Sequence, residues 1–238
     1  MARTPIVYLG ESEVTMMKKS AMSLLTMTMS LVLVWSAVAA IYDWVPDKTK
    51  HGVETFYREV ENSPIKEYKA VCEMDYPIEV LLEVLIDVPS YPQWMPDCMQ
   101  AEILKEFNKG LERGNYYIHL TMDGIWPARN RDLVIESVPK TDWEKGVSVI
   151  RLKKLENYPY PQQKGIVRIE EFVSEFKFEY ITREKTRVSF CTYVDVGGAI
   201  PPGFAAIQTS RVPLGTLLGL NKMAAETRYR EAAARDYF

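Results

Sequence analysis

Apolar and polar residues alternate in four runs across the middle and later parts of the chain. Tyr116, Ile118, Leu120 and Met122 share one side of the first run, and Leu133 and Ile135 share one side of the second, with Arg131 and Ser137 in the same parity. Phe176, Phe178 and Tyr180 share a side on a third, and Val188, Phe190, Val194 and Val196 on a fourth. A period of two is the mark of a strand with one face toward a core. Asn108-Lys109-Gly110, Asp123-Gly124 and Lys145-Gly146 are turn signals that separate predicted strands over 99–107, 116–123, 131–138 and 147–152. No helix-length segment lies between them. Parallel neighbours need a crossover of about a dozen residues, so the sheet is expected to be antiparallel, with one apolar face that another element must cover.

Two stretches keep the 3.6-residue period instead. After Tyr76-Pro77, the residues Val80, Leu81, Val84 and Leu85 recur at helical spacing, and Pro89, Pro92 and Pro96 cut the next segment into short turns. Before that helix, 52–74 reads as a strand or short helix, a turn at Asn62-Ser63-Pro64, and a strand with Tyr68, Ala70 and Cys72 on one side. Late in the chain, Gly197-Gly198 and Pro201-Pro202 end the sheet pattern, with Asp195 and the glycines expected to cap the turn. Phe204, Ile207, Val212, Leu214, Leu217, Leu218 and Met223 then form an apolar stripe, whereas Asn221, Lys222, Glu226, Arg228, Arg230 and Glu231 mark the later, more exposed turns. This predicts one C-terminal helix of about nine turns at ~3.6 residues each, bent at Pro213. The fold class is α+β, a curved antiparallel sheet wrapped around a long C-terminal helix. Gly215, Gly219 and several alanines on that helix leave two readings open: a packed core, or an under-filled interior that takes an apolar guest.

Lys18-Lys19 precede an uncharged run, 20–42, that ends in Ala37-Val38-Ala39-Ala40. Those are the parts of a secretory signal cleaved after Ala39 or Ala40. The same run is long enough to stay as a single membrane span. Glu11 and Glu13 lie ahead of the basic pair, which suits a start of translation at Met16 or Met17 better than one at Met1. The expected organisation is a leader or anchor over 1–40 and a folded domain over 44–238, exported, periplasmic or held at a membrane.

Composition narrows the chemistry. With 47% hydrophobic and 26% charged residues the chain suits one ordinary globular domain plus an appendage, and a net charge of −3 argues against nucleic acid as a partner. Cys72, Cys98 and Cys191 form no Cys-x-x-Cys pair, and an odd number cannot all pair within the chain, so free buried thiols are expected. His51 reads as a surface residue and His119 as facing outward, opposite Ile118 and Leu120. Two histidines and no carboxylate pair at useful spacing give little acid–base machinery. No cofactor, metal or catalytic residue is expected. Arg131, inward by parity, needs an ion pair or a polar group on a ligand. Tyr158 and Tyr160 stand in a proline-rich loop, either packed or exposed toward a membrane surface.

Five segments carry a resemblance. They are 53–71 with its Gly52 lead-in, LLEVLIDVPSYPQWMPD, WPARNRDLV, YPYPQQKGIVR and YVDVGGAIP, in that order. Together they resemble the START domain, the lipid-transfer branch of the helix-grip (Bet v 1-like) superfamily, from about Trp44 to the C-terminus. The resemblance implies a tunnel between sheet and C-terminal helix that holds one lipid or sterol-like molecule behind a loop gate, with no catalytic residues. Some sterol-carrying relatives have a second Arg six positions beyond the Arg-Asp pair; here that residue is Ser137. The candidate lining is Ile118, Leu120, Arg131, Leu133, Ile135 and Ser137 from the first strands. Phe178, Tyr180, Phe190 and Val194 join them from the later strands, and Phe204, Ile207, Leu214 and Leu218 from the helix. The expected function is non-enzymatic binding, with transfer between membranes, of a lipid or other hydrophobic small molecule by a monomer that touches a membrane surface. A polyketide cyclase or aromatase-like enzyme of the same superfamily is the alternative, and a groove for a partner's hydrophobic segment is a third.

Overall fold

The computed structural model describes residues 43–107, 113–124, 128–197 and 209–237. Its strands are β1 (Val45–Lys50), β2 (Val53–Arg58), β3 (Glu67–Met74), β4 (Cys98–Glu106), β5 (Tyr116–Met122), β6 (Arg131–Asp142), β7 (Val147–Lys154), β8 (Val167–Arg168), β9 (Glu171–Thr182) and β10 (Lys185–Asp195). The helices among the described residues are α1 (Ile78–Ile86), a 3₁₀ turn (Val88–Gln93), α2 (Val212–Ala224) and α3 (Thr227–Tyr237). The strands form one curved sheet in the order β1-β2-β3-β10-β9-β7-β6-β5-β4. Every neighbouring pair along that path is antiparallel, as the short turns require. β8 is the exception, because it pairs parallel with the start of β6 through Arg131↔Val167 and Asp132↔Arg168. β7 pairs only with Ile135–Asp142 of β6, so the chain after β7 can loop out and return to fill the vacant edge.

The alternation places the core. Ile118, Leu120, Leu133, Ile135, Phe176, Phe178, Val188 and Phe190 are buried on the inner face, with Tyr68, Ala70 and Met74 of β3. α1 begins after Pro77 and buries Val80, Leu81, Val84 and Leu85. β1 had no signal in the sequence. All six of its residues are exposed, so neither face carries an apolar stripe, and pairing with β2 alone holds it in place.

The C-terminal segment departs from the expected single rod. Pro213 stands in the first turn of α2, just after an interruption at Arg211 that follows the helical residues Thr209 and Ser210, so the helical path is broken beside the proline as expected. A further break, at Ala225-Glu226, falls between residues with no helix-breaking chemistry. Tertiary contacts account for it: α3 turns onto α1, where Tyr229 is buried and its hydroxyl donates to Asp87 at 2.9 Å. Arg113 ties the same corner by bridging Glu83 (2.8 Å) and Asp236 (2.5 Å). α2 lies over β2, β3 and β10 and also touches α1.

The phase of α2 differs from the predicted stripe. Pro213, Thr216, Leu217, Leu220, Met223 and Ala224 are buried, whereas Leu214 and Leu218 sit on half-buried flanks. Gly215 and Gly219 do not leave a void. They let the helix backbone press against the turn after the 3₁₀ segment, since a Cβ on Gly219 would collide with the Trp94 carbonyl and one on Gly215 with the Pro96 ring. The turn into the last segment does use the expected cap: Gly197 N–H donates to Asp195 Oδ1 at 3.0 Å, and Gly197 adopts φ +62°. Phe204 and Ile207 lie outside the described residues, as do Gly198, the Pro201-Pro202 pair and the 1–40 segment. Among the described residues no helix is long and apolar enough to cross a membrane.

Candidate functional site

The inner face of the sheet, the turn after the 3₁₀ segment and the first part of α2 enclose a cavity of about 100 Å³. Strand parity delivers most of its walls. Leu120 and Met122 come from β5, Arg131, Leu133 and Ile135 from β6, Phe172 and Phe176 from β9, and Phe190, Thr192 and Val194 from β10. Tyr91, Met95 and Pro96 close one side and Thr209, Val212 and Thr216 the other, while the part-exposed Asp97 and the exposed Asp123 stand at the mouth. Asp97 is held by Arg211 at 2.6 Å. A closed apolar cavity of about 150 Å³ admits benzene, and lipid-sized pockets are several times larger. The volume therefore takes a ring or a short chain, and the whole-lipid space expected from the sequence requires the walls to part.

Of the expected lining residues, Leu120, Arg131, Leu133, Ile135, Phe190 and Val194 meet in this cavity. Ile118 and Phe178 have the right parity but are consumed in close packing, Phe178 at 0% exposure. Ser137 opens on a much smaller hollow with Leu85, Ile86 and Tyr91. Tyr180 is 58% exposed. It keeps inward parity, but it lies near the β9–β10 hairpin and packs over Gly146 instead of in the cavity. Leu214 and Leu218 flank the helix rather than face the cavity. The missed contributors Thr209, Val212 and Thr216 keep an i, i+3, i+7 spacing that was legible, but two of the three are threonines and an apolar count passes over them.

Arg131 is the one basic side chain among the described residues that line the cavity, at 4% exposure. Its guanidinium donates to backbone carbonyls, Nε to Val196 O at 3.5 Å and Nη1 to Arg129 O. Among the described residues no carboxylate lies within salt-bridge distance of it, contrary to the expected ion pair. Burial, and then the charge of Arg129, push its pKa down, yet a guanidinium keeps its proton. Thr192 shares a hydrogen bond with Ser174 at 2.6 Å. Thr216, at 1% exposure, has a hydroxyl with no hydrogen-bond partner among the described residues.

His119, on the opposite face of the sheet, departs from its expected exposure. It does point away from Ile118 and Leu120, but it is 0% exposed because the loop after β7 lies over it. Tyr160 stacks on the imidazole with ring centres 4.0 Å apart, Nδ1 is 3.1 Å from Glu102, and Nε2 is 3.3 Å from Asp132. Asp132 also takes a two-pronged contact from Arg168, at 2.7 and 2.9 Å. Tyr160 donates to Glu102 at 2.6 Å, and chiefly that bond pushes the phenol up to about 12. Tyr158 packs edge-on against Tyr117. Both loop tyrosines thus face the sheet. The network is walled off from the cavity by the sheet itself.

The three cysteines are free thiols. Burial pushes Cys98 up to about 12, and Cys72 and Cys191 up to about 11, so all three are protonated and poorly nucleophilic near neutral pH. Among the described residues no cluster of three or more His, Cys, Asp or Glu could hold a metal ion.

The START domain model matches residues 31–232 of the chain. An uncharacterized protein of Pseudomonas aeruginosa is 28% identical over 186 residues, covering 78% of this chain and 88% of its own length. The crystal structure of a STAR-related lipid transfer protein fragment from Xanthomonas axonopodis superposes with a TM-score of 0.69 at 26% identity, covering 77% of this chain and 99% of that one. Human StAR-related lipid transfer protein 5 shares the fold with a TM-score of 0.67 at 16% identity, covering 84% and 96% respectively.

Proposed function

This chain belongs to the START domain family, and from that premise we propose that it binds a lipid or other hydrophobic small molecule in the sheet–helix cavity and carries it between membranes without transforming it. The observation that carries the reading is Arg131: a buried cation, free of carboxylate partners among the described residues, in a cavity whose walls are mainly apolar. An apolar ligand with a polar or anionic end supplies what that guanidinium lacks, while its body displaces nothing that water holds tightly. Burying ~300 Å² of ligand at ~25 cal/mol per Å² gives about 7 kcal/mol before association costs, enough for carriage without tight retention.

The alternative is an aromatase or cyclase-like enzyme, which needs an acid–base pair in the cavity. Among the described residues, the histidine with paired carboxylates, His119 with Glu102 and Asp132, lies on the far side of the sheet from the cavity, and this supports the carrier reading. Lipid extraction and mass spectrometry of protein purified from its host are expected to find an amphiphile, and Arg131→Met is expected to lower its occupancy about tenfold. An empty protein that also takes up no fluorescent lipid, or one that turns over an aromatic polyketide, overturns the proposal. The leader reading travels with it as a proposal: export, or tethering through 20–42, is tested by N-terminal sequencing of the mature protein and by fractionation.

A further inference from the structure

Thr216 stands one turn after Val212 on the cavity side of α2. Threonines inside helices usually return their hydroxyl to the carbonyl one turn earlier. This one does not, and it finds no other partner among the described residues, although it is 1% exposed. The other hydroxyls on the cavity wall are engaged: Thr192 bonds Ser174, and Thr209 has interactions of its own. An orphan hydroxyl on an apolar wall is costly unless a ligand completes it, and Val is the isosteric residue that would avoid the cost.

Resting on the carrier reading above, we propose that Thr216 is a specificity-determining residue that donates a hydrogen bond to a neutral acceptor oxygen carried along the ligand's apolar body. The ligand class is therefore an amphiphile with two polar points, one at Arg131 by the mouth and a carbonyl, ester or hydroxyl oxygen against the helix. A plain hydrocarbon tail leaves the second point unmet.

The test compares full-length wild type, Thr216→Val and Thr216→Ser for displacement of a bound fluorescent naphthalene sulfonate by 2-tridecanone and by tridecane. Expected is a preference of wild type for the ketone, lost about fivefold in Thr216→Val and kept in Thr216→Ser, with tridecane binding unchanged and the unliganded Tm of Thr216→Val equal to or above wild type. Thr216→Ala serves in the same role if the valine variant fails to fold. Equal affinities of wild type and Thr216→Val for the ketone overturn the inference and leave the carrier reading standing. Wild type that takes up neither compound nor any lipid overturns both.

Discussion

His119 shows how much a single residue owes to what covers it. Its ring is flanked by Glu102 and Asp132, roofed by Tyr160, and completed by Arg168 on the second carboxylate. Removing the imidazole strips a hydrogen-bond partner from a fully buried Asp132 and opens a hole under Tyr160. Both effects belong to the costly classes of substitution. His119→Ala is expected to cost about 2–4 kcal/mol in a urea melt, and to make the 155–166 loop the first site cut in limited proteolysis. Ligand affinity should change less than it does in Arg131→Met, because the sheet stands between the two sites. A melt within a few tenths of wild type would show that the network contributes little. Arg131 and Asp132 are neighbours in sequence with opposite duties: the strand turns one guanidinium toward the cavity and one carboxylate toward the clasp.

At the scale of elements, the spacing of α2 from the rest of the molecule is set by glycine. Gly219 lets the helix backbone touch the carbonyl of Trp94, which belongs to a turn held by Trp94 N–H to Tyr91 O and Trp94 Nε1 to Ser90 Oγ. Because the obstructing atom is backbone, it cannot swing aside. Gly219→Ala gains about 1 kcal/mol of helix propensity, yet overpacking costs about 1–3 kcal/mol, so the variant is expected to be less stable and to hold α2 farther from the turn. Thermal unfolding checks the first outcome, and faster uptake of a fluorescent lipid by a loosened wall checks the second. The prediction applies to this position because the collision is there. The clasp loop is a second such element. Between β7 and β8 the chain crosses the outer face, then brings Ile169 to the cavity wall immediately after Arg168 anchors on Asp132.

For the molecule as a whole, the cavity of about 100 Å³ is smaller than any membrane lipid. Loading therefore requires the helix side and the sheet to separate, and ligand binding should couple to global stability. A ligand present at about 100 times its Kd is expected to add about 2.7 kcal/mol to unfolding, read as a rise in Tm that grows with ligand concentration. No rise with a ligand known to be bound would mean that it attaches elsewhere. The START family assignment does not decide this point, since relatives share the architecture whatever their cavities hold.

What the chain determined by itself was which side chains share a face and that the strands run antiparallel. Cβ atoms alternate along a strand, and turns of two or three residues permit only antiparallel return. That was enough to bring Leu120, Arg131, Leu133, Ile135, Phe190 and Val194 together, and the spacing of five short segments was enough to point to the family. Alternation distinguishes two faces but does not say which part of either face is covered. Tyr180 has inner-face parity and is exposed at the hairpin end of the sheet; His119 is on the outer face and buried, because a loop distant in sequence arrives over it. The phase and break of the C-terminal helices were likewise decided by contacts with α1 and with Trp94. The cavity itself is a remainder, the space left once every backbone has found its closest approach, and such a remainder exists only in three dimensions.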